Sequence, residues 1–210
     1  MGFKSWYEAR IMPRLITCAC SQGQVMKRRA GVVPRARGDV FELGCGGGIN
    51  HQFYDARAIT SYAGIDPHEG LLESARAAAR AKGWAADLRA GRGEAIPFAD
   101  VSFDCVVCTF TLCSVENPAQ VMREMRRILR PGGVALFLEH GRAPDADVRG
   151  WQERIEPVWK RLAGGCHLTR PIASALTEAG FAVEPLGEGY TPKAPRFAGW
   201  MEWGVARKAG

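Results

Sequence analysis

The feature that most constrains the fold is an alternation, from residue 39 onward, of short β-like runs with stretches that favour a helix. In chain order the runs and stretches are 39–43, 50–57, 61–65, 69–82, 88–90, 103–110, 118–129 and 134–140. The run FDCVVCTF at 103–110 is apolar over the length of a strand, as expected in the middle of a parallel sheet covered on both faces. The alternation therefore predicts right-handed βαβ units and an α/β fold with a doubly wound sheet.

The C-terminal part of the chain departs from this alternation. Residues 169–179 favour a helix, and two strand-like pieces follow at 181–186 and 200–207. The loop between these pieces contains Pro192 and Pro195. A closing antiparallel hairpin fits this pattern better than a further βαβ unit, so we predict seven strands, mostly parallel, with a C-terminal antiparallel hairpin.

The positive charge of the chain is concentrated at its N-terminus. The 210 residues carry a net charge of +6, but residues 1–38 hold eight basic side chains against one acid, and the remaining 20 bases and 21 acids nearly cancel. No aromatic residues are interleaved with these bases in a nucleic-acid motif, so we expect no nucleic-acid partner. The chain divides into a basic N-terminal helical arm or lid at 1–38 and one domain at 39–210.

The cellular location is predicted from what the chain lacks. No apolar run is long enough to span a membrane, and Arg10 and Arg14 fall where a secretory signal would be apolar. The seven cysteines show no spacing typical of a disulfide framework. We therefore expect a cytoplasmic location, with contact to a membrane surface through the N-terminal arm as an alternative.

A glycine-rich turn, within the stretch VFELGCGGGIN at 40–50, follows the first predicted strand. The alternating glycines of the turn are Gly44, Gly46 and Gly48. The dinucleotide fingerprint would require a glycine at Ile49, and no lysine follows as in a P-loop. Asp66 ends the second predicted strand, where a carboxylate accepts hydrogen bonds from a ribose diol. The pattern predicts a nucleoside ligand whose phosphates are not required.

Four stretches in this order resemble the class I S-adenosylmethionine-dependent methyltransferases, methyltransferase domain type 11. They are GDVFELGCGGG, AGIDP, GEAIPFADVSFDCVVCTFTLCSV and REMRRILRPGG. The resemblance covers about residues 39–180 and implies a Rossmann-like fold and S-adenosylmethionine as cofactor. The stretches VVCTFTLCSV, LRPGG followed by EH, and WQERIEPVWKRLAGGCHLTR are similar to the methyltransferase-like subgroup seven, whose animal members are associated with methylation of alkyl thiols.

The resemblance also implies which residues surround the methionine part of the cofactor. The loop around this part would consist of Glu42, Gly44, Cys45, Gly46 and Gly48. Thr109, at the end of the central strand, would face the reactive sulfonium.

The adenosine part of the cofactor would lie against the next two strand ends. Asp66 would hold the ribose hydroxyls, with Pro67 beside the adenosine. Gly93 would border the adenine, and Glu94 would accept a hydrogen bond from its amino group. The broad family often has Asp where this chain has Arg92, which puts the adenine contact in doubt.

The acceptor of the methyl group is predicted to be a small molecule held beside residues 110–114. Candidate acceptor-site residues are Thr111, Cys113, Trp151 and His167. A packing role for Cys113, and a core-covering role for Trp151, are the alternatives. A thiol acceptor would react as its thiolate, and His140 is the preferred candidate base. Glu139 should face the opposite side of the strand from His140.

No metal site is predicted from the cysteine spacings. Cys105 and Cys108 lie three positions apart in one strand and therefore face opposite sides, and Cys18 and Cys20 lack a second pair.

Three other functions stay open. They are a nicotinamide-dependent oxidoreductase on a similar sheet, a catalytically silent nucleoside-binding scaffold, and a methyltransferase whose acceptor is a lipid amine or a quinone-like compound. The missing third fingerprint glycine argues against the first of these.

The N-terminal arm repeats apolar residues at four-residue spacing. They are Phe3, Tyr7, Ile11 and Leu15, and Pro13 divides the segment into two short helices. We expect the arm to cover the acceptor site as a lid, with membrane-surface contact as the second role.

Overall fold

Seven strands form one sheet in the computed structural model of the protein, which describes residues 22–208. The strands are β1 (Gly38–Leu43), β2 (Ile59–Asp66), β3 (Ala86–Ala90), β4 (Phe103–Thr109), β5 (Leu129–His140), β6 (Phe181–Tyr190) and β7 (Trp200–Lys208). Their order is β3-β2-β1-β4-β5-β7-β6. Strands β1 to β5 are parallel, and β7 runs antiparallel to both β5 and β6. The predicted seven-stranded sheet with an antiparallel C-terminal pair is confirmed.

Six α-helices are assigned within residues 22–208. They are α1 (Gly23–Val32), α2 (Glu69–Ala81), α3 (Pro118–Ile128), α4 (Ala146–Leu162), α5 (Ile172–Glu178) and α6 (Arg196–Gly199). Helix α3 begins after Asn117, whose side chain accepts a hydrogen bond from the backbone of Gln120, as N-cap residues do. No helix in this part of the chain has the length and apolar character needed to cross a membrane.

Successive residues of the central strands pack on opposite faces of the sheet, which creates two hydrophobic layers. One layer packs against α3 and includes Phe41, Leu43, Val106, Phe137, Val121, Met125 and Ile128. The other packs against α2 and includes Val40, Val107, Leu136, Leu72, Ala75, Val32 and Val33. The central strands are therefore covered on both faces, as their apolar sequences predict.

Two local elements differ from their predicted form. The stretch predicted as a helix at 50–57 forms only a short 3-10 helix, Ile49–Phe53. Strand β5 begins at Leu129, directly after α3, and not at residue 134. The register between β4 and β5 shifts after Leu129. Residues Pro131-Gly132-Gly133, predicted as a turn, therefore form an irregular part of the strand.

The described part of the N-terminal segment packs against the sheet. Val25 in α1 contacts Leu138 and Met201, and Val32 and Val33 are fully buried. Arg28 donates hydrogen bonds to Thr191 Oγ1 and to the backbone of 189–190. The lid and membrane-surface roles expected for the earlier part of the arm concern residues 1–21, which lie outside the described residues.

Candidate active site

A cavity of about 400 Å³ opens where β1, β2 and β4 end. The chain reverses its direction of winding between β1 and β4, and ligands of open α/β sheets bind at such a point. The predicted site residues that line the cavity are Glu42, Gly44, Cys45, Gly46, Asp66, Pro67, Gly93, Glu94, Thr109 and Thr111. The predicted site residues outside its lining are Gly48, Cys113, His140, Trp151 and His167. The sequence motifs therefore converge on one cavity, and three of the four predicted acceptor residues lie outside its lining.

The glycine turn lies tightly under the cavity. Gly44 has a φ of +68°, and a Cβ atom there would lie 2.2 Å from Thr111 Oγ1, so a side chain cannot be accommodated. Gly46 donates its backbone N–H to Asp66 Oδ2 at 3.0 Å, and a Cβ at Gly46 would meet no atom within 4 Å. Gly48 instead caps the short 3-10 helix. The turn thus connects the ends of β1 and β2 and leaves open space for a ligand.

Glu42 is a buried carboxylate held by neutral donors. Its Oε2 accepts hydrogen bonds from Tyr54 at 2.7 Å and Tyr62 at 2.6 Å, and its Oε1 accepts one from Asn50 at 2.9 Å. Burial raises the pKa of Glu42, and these three donors partly offset that rise by stabilising the anion. Glu42 therefore orders the base of the cavity as well as lining it.

Arg29 is a cavity residue that the sequence analysis missed. Its Nη1 donates to Asn50 Oδ1 at 2.6 Å and to Thr109 Oγ1 at 2.7 Å, and its guanidinium lies 4.9 Å from the centre of the Phe110 ring. The side chain is only 4% exposed although the residue belongs to a strongly basic segment. Its position on the same face of α1 as Val25 was the available signal.

Asp66 has the surroundings of a binding carboxylate. Its two oxygens accept backbone hydrogen bonds, Oδ2 from Gly46 and Oδ1 from His68 at 2.9 Å. Burial raises the pKa of Asp66, while these two hydrogen bonds act in the opposite direction. Because each carboxylate oxygen has a second lone pair, Asp66 can still accept hydrogen bonds from a ligand in the cavity.

The far end of the cavity lies between β3 and α3. Glu94 Oε1 accepts a hydrogen bond from the backbone of Asn117 at 3.1 Å. Arg92, where the family often has an acid, forms an exposed ion pair with Glu116 at 2.7 Å, and both residues line the cavity. The positive charge of Arg92 at the edge of the cavity is therefore neutralised by Glu116, which belongs to a different loop.

The segment after β4 forms a wall of the cavity, and the backbone of residues 111–113 is held by hydrogen bonds to Glu139. Phe110 has a φ of +57°, which is strained for a bulky residue. Glu139 Oε1 accepts backbone hydrogen bonds from Thr111 at 2.9 Å and Leu112 at 3.1 Å, and Oε2 accepts one from Cys113 at 3.1 Å. Glu139 is completely buried, and burial raises its pKa against the effect of these donors. The carboxylate fixes a turn that would otherwise have three unpaired donors.

His140 faces away from Glu139, as expected for neighbours in a strand. Its ring packs edge-on against Phe110 at 5.2 Å between ring centres, and its Nδ1 lies 3.6 Å from Cys166 Sγ. His140 is not among the lining residues. Phe110 lies on the cavity side of His140, and the role of His140 in removing a proton from the acceptor stays a prediction.

The other predicted acceptor residues lie elsewhere. His167 Nδ1 contacts Glu156 Oε1 at 2.9 Å, and Glu156 also accepts hydrogen bonds from Leu168 and Thr169. Trp151 is 58% exposed on α4. Trp151 is on the solvent-facing side of its helix, and His167 holds the loop after α4. An acceptor contact stays a prediction for both residues.

Comparisons with known proteins find methyltransferases. A family profile described as a methyltransferase domain matches residues 41–137. The thiol S-methyltransferase TMT1B of Homo sapiens is 40% identical over 145 residues, which are 68% of this chain and 59% of that protein. The thiol S-methyltransferase TMT1A of Homo sapiens is 37% identical over 153 residues, which are 71% of this chain and 62% of that protein. The chain thus spans about three fifths of the curated relatives it matches.

A solved structure shares the fold. The S-adenosylmethionine-dependent methyltransferase from Mesorhizobium loti superimposes with a TM-score of 0.64 at 20% identity, covering 89% of this chain and 98% of that one. Residues 41–137 thus match a methyltransferase domain, and the sheet has the fold of an S-adenosylmethionine-dependent methyltransferase.

The lining of the cavity fits S-adenosylmethionine. Asp66 would offer acceptors to the ribose hydroxyls, and the open space at Gly46 would admit the methionine part near Arg29 and Glu42. The bound cofactor supplies a methyl group on a positively charged sulfur, which is already electrophilic. The protein has to bind, orient and shield it.

Arg29 should bind the carboxylate of the cofactor's methionine part. We expect Arg29→Gln to weaken S-adenosylmethionine binding about five-fold, equivalent to roughly 1 kcal/mol, because a buried charged donor is lost. Decarboxylated S-adenosylmethionine should bind the variant and the wild type alike, as measured by calorimetry. The matched control is Arg28→Gln, because Arg28 contacts Thr191 and Trp203 outside the cavity. Equal loss for both cofactors would contradict this role.

Proposed function

We propose that this methyltransferase transfers a methyl group from S-adenosylmethionine to the sulfur of a small thiol. The observation that carries the proposal is the 40% and 37% identity to two proteins named thiol S-methyltransferases. The methyltransferase-domain match at 41–137 includes the cofactor loop and the wall at 109–115. A lipid amine or quinone-like acceptor is the alternative within the same family.

The proposed reaction is a direct displacement. The thiol loses its proton, and the thiolate sulfur attacks the methyl carbon of the sulfonium. A new carbon–sulfur bond forms while the bond between the methyl carbon and the sulfonium sulfur breaks. The products are a methyl thioether, S-adenosylhomocysteine and a proton released to solvent.

The wall at 109–115 supports this reaction by its rigidity. Thr109 is held by Arg29 and Asn50, and the backbone of 111–113 is held by Glu139. Holding two reactants in line can contribute roughly 7 to 11 kcal/mol to lowering the barrier. Phe110 adds an aromatic surface that suits an alkyl or aryl thiol.

We assign no side chain to deprotonation of the thiol. The imidazole among the lining residues is His68, which follows Asp66 on the adenosine side, and His140 lies behind Phe110. The thiolate then has to form without a dedicated base, and an unperturbed thiol has a pKa of about 8.5. Acceptors with lower pKa values should therefore react faster at neutral pH.

The test is a panel of acceptors in which transfer of a labelled methyl group is followed by mass spectrometry. The panel contains thiols of graded pKa, a phenol, a lipid amine and a quinol. We expect transfer to thiols, and the rate for each thiol should rise with pH until the pH passes the pKa of that thiol. The Asp66→Ala variant serves as the cofactor-deficient control.

Two outcomes would contradict parts of the proposal. Transfer to the amine, phenol or quinol without transfer to any thiol would exclude the thiol acceptor and leave the family assignment intact. A rate that stays constant while pH rises toward the thiol pKa would show that the protein supplies a base after all.

A further inference from the structure

Two cysteines and a histidine from distant parts of the chain converge beside the cavity wall. Cys113 lies in the turn after β4, His140 ends β5, and Cys166 lies in the turn after α4. The two Sγ atoms are 3.6 Å apart, and Cys166 Sγ is also 3.6 Å from His140 Nδ1. The three potential ligand atoms all lie within 4.8 Å of one another. One atom placed between them could contact all three.

These separations fit a tetrahedral zinc ion. Zinc binds cysteine sulfur at about 2.3 Å and histidine nitrogen at about 2.0–2.1 Å, so two ligand sulfurs lie about 3.8 Å apart and a sulfur and a nitrogen about 3.6 Å apart. Two of the three pairs, at 3.6 Å each, agree with these values to about 0.2 Å. The third pair, Cys113 Sγ and the His140 nitrogen, lies within 4.8 Å and would approach by up to about 1 Å on binding. Sulfur and imidazole nitrogen are also the donors that zinc and cobalt prefer over oxygen-only sites.

The surrounding fold already holds the ligands in place. The backbone N–H of Cys113 donates to Glu139 Oε2, and its carbonyl accepts from the N–H of His167 at 2.7 Å. The N–H of Cys166 donates to the carbonyl of Ala163 at 3.1 Å. The backbone at both cysteines is therefore already held, and binding would require only small side-chain shifts, which favours affinity.

A positive charge next to the cluster favours the ionised sulfurs that a metal requires. Arg170 donates to the carbonyls of Leu112 at 2.5 Å and Val115 at 2.7 Å, and it interacts electrostatically with Cys113 and Cys166. The hydrogen bond with Cys166, burial and the neighbouring Glu139 carboxylate raise the pKa of the Cys113 thiol. The Arg170 guanidinium acts in the opposite direction. A bound divalent cation would supply the remaining positive charge that two thiolates need.

We propose that Cys113, His140 and Cys166 form a binding site for a zinc-type divalent cation. The three protein ligands leave the fourth tetrahedral position for water or another small ligand. The site goes beyond the methyl-transfer reaction, because metal binding needs neither cofactor nor acceptor. The sequence analysis predicted no metal because it searched for closely spaced ligands, whereas Cys166 is 53 positions from Cys113 and 26 from His140.

The ion would join the cavity wall to the turn after α4. Phe110 lines the cavity and packs on His140. Ser114, which follows Cys113, and Gly164, two positions before Cys166, also line it. A bound ion would therefore brace the wall from the side opposite Glu139.

The first test is a cobalt titration of the 210-residue chain. Because Cys18 and Cys20 lie outside the described residues, both are replaced by serine in every sample. The protein is freed of metal by a chelator, kept reduced and titrated with Co²⁺. We expect a single cobalt ion per chain, with a thiolate-to-cobalt charge-transfer band and the intense visible bands of tetrahedral cobalt. Zinc should abolish these bands by displacing the cobalt.

Variants assign the ligands. Removing a residue that only supports a metal ligand typically weakens metal affinity about ten-fold. We expect at least this loss of cobalt affinity from each of the ligand variants Cys113→Ser, Cys166→Ser and His140→Ala. The matched control is Cys105→Ser, because Cys105 is also buried in the sheet but lies outside the cluster. Failure to see the charge-transfer band, or equal loss in the Cys105→Ser control, would overturn the proposal.

A second measurement needs no variant at the site. X-ray absorption of the zinc-loaded protein should show two sulfur ligands at about 2.3 Å and at least one imidazole nitrogen at about 2.0–2.1 Å. A shell of nitrogen and oxygen alone would overturn the proposal. So would a Cys113–Cys166 disulfide in protein isolated without reductant, if the reduced protein then failed to bind cobalt.

Discussion

Replacing Asp66 with alanine should weaken S-adenosylmethionine binding roughly 10- to 100-fold, because a hydrogen bond to a charged group contributes about 1.5 to 3 kcal/mol. Asp66 lies at the end of β2 and lines the cavity, with a lone pair free on each oxygen beyond the bonds from Gly46 and His68. Calorimetric titration of the wild type and the variant measures the change. Asp87→Ala is the matched control, because Asp87 is a partly exposed acid of β3 that pairs with Arg89.

A modified cofactor distinguishes loss of the ribose contact from disturbance of the glycine turn in the Asp66→Ala variant. Alanine at 66 also removes the acceptor for the Gly46 N–H, so a disturbed glycine turn could weaken binding by itself. The 2′-deoxy analogue of the cofactor lacks one ribose donor, so the wild type should bind it weakly. The Asp66→Ala substitution should then reduce the affinity for this analogue much less than the affinity for S-adenosylmethionine. An equal loss for both cofactors would mean that Asp66 only supports the turn.

Replacing Glu139 with glutamine should destabilise the fold by roughly 2 to 4 kcal/mol. The carboxylate accepts hydrogen bonds from the backbones of Thr111, Leu112 and Cys113, and each buried donor left unpaired costs about 1 to 3 kcal/mol. The glutamine amide brings two further donors to a position that needs acceptors. For a chain of this size the melting temperature should fall by roughly 4 to 16 °C.

The control for this prediction is a glutamate outside the core. Glu184 is 60% exposed by side chain and pairs with Arg207 at 3.5 Å, so Glu184→Gln should change stability by less than about 0.5 kcal/mol. Urea denaturation of the three proteins gives the comparison. Equal stability of Glu139→Gln and Glu184→Gln would show that the turn at 111–113 does not depend on the carboxylate.

The strongly basic composition of the N-terminal segment gave no indication that Arg29 lines the cavity. The eight bases of residues 1–38 predict a solvated arm, and Arg29 is one of them. It is buried because α1 packs on the sheet and directs Val25, Arg29 and Val32 inward. Its partners, Asn50 and Thr109, are 21 and 80 positions away. Local composition cannot distinguish one buried arginine from its exposed neighbours, since burial depends on what the helix packs against.

Predictions from local sequence propensity were also inaccurate for two secondary-structure elements. The stretch at 50–57 has the composition of a helix but forms only the 3-10 helix Ile49–Phe53, where Asn50 donates to Glu42 and His51 pairs with Tyr62. Contacts to the strands beside this segment therefore decided its conformation. Strand β5 began early for a similar reason, because pairing of Leu129 with Phe103 extends it back to the end of α3.

The sequence by itself determined the parallel sheet, the antiparallel C-terminal pair, the glycine turn at 44–48 and the acid at Asp66. These features follow from side-chain periodicity and from backbone conformations that only a few neighbouring residues control. Tertiary structure alone decided that Arg29 enters the cavity, that Glu139 supports the wall while His140 lies behind it, and that Cys113 and Cys166 meet. Each of these depends on hydrogen bonds or contacts between residues far apart in the chain, and the order of strands in the sheet decides which of those residues become neighbours.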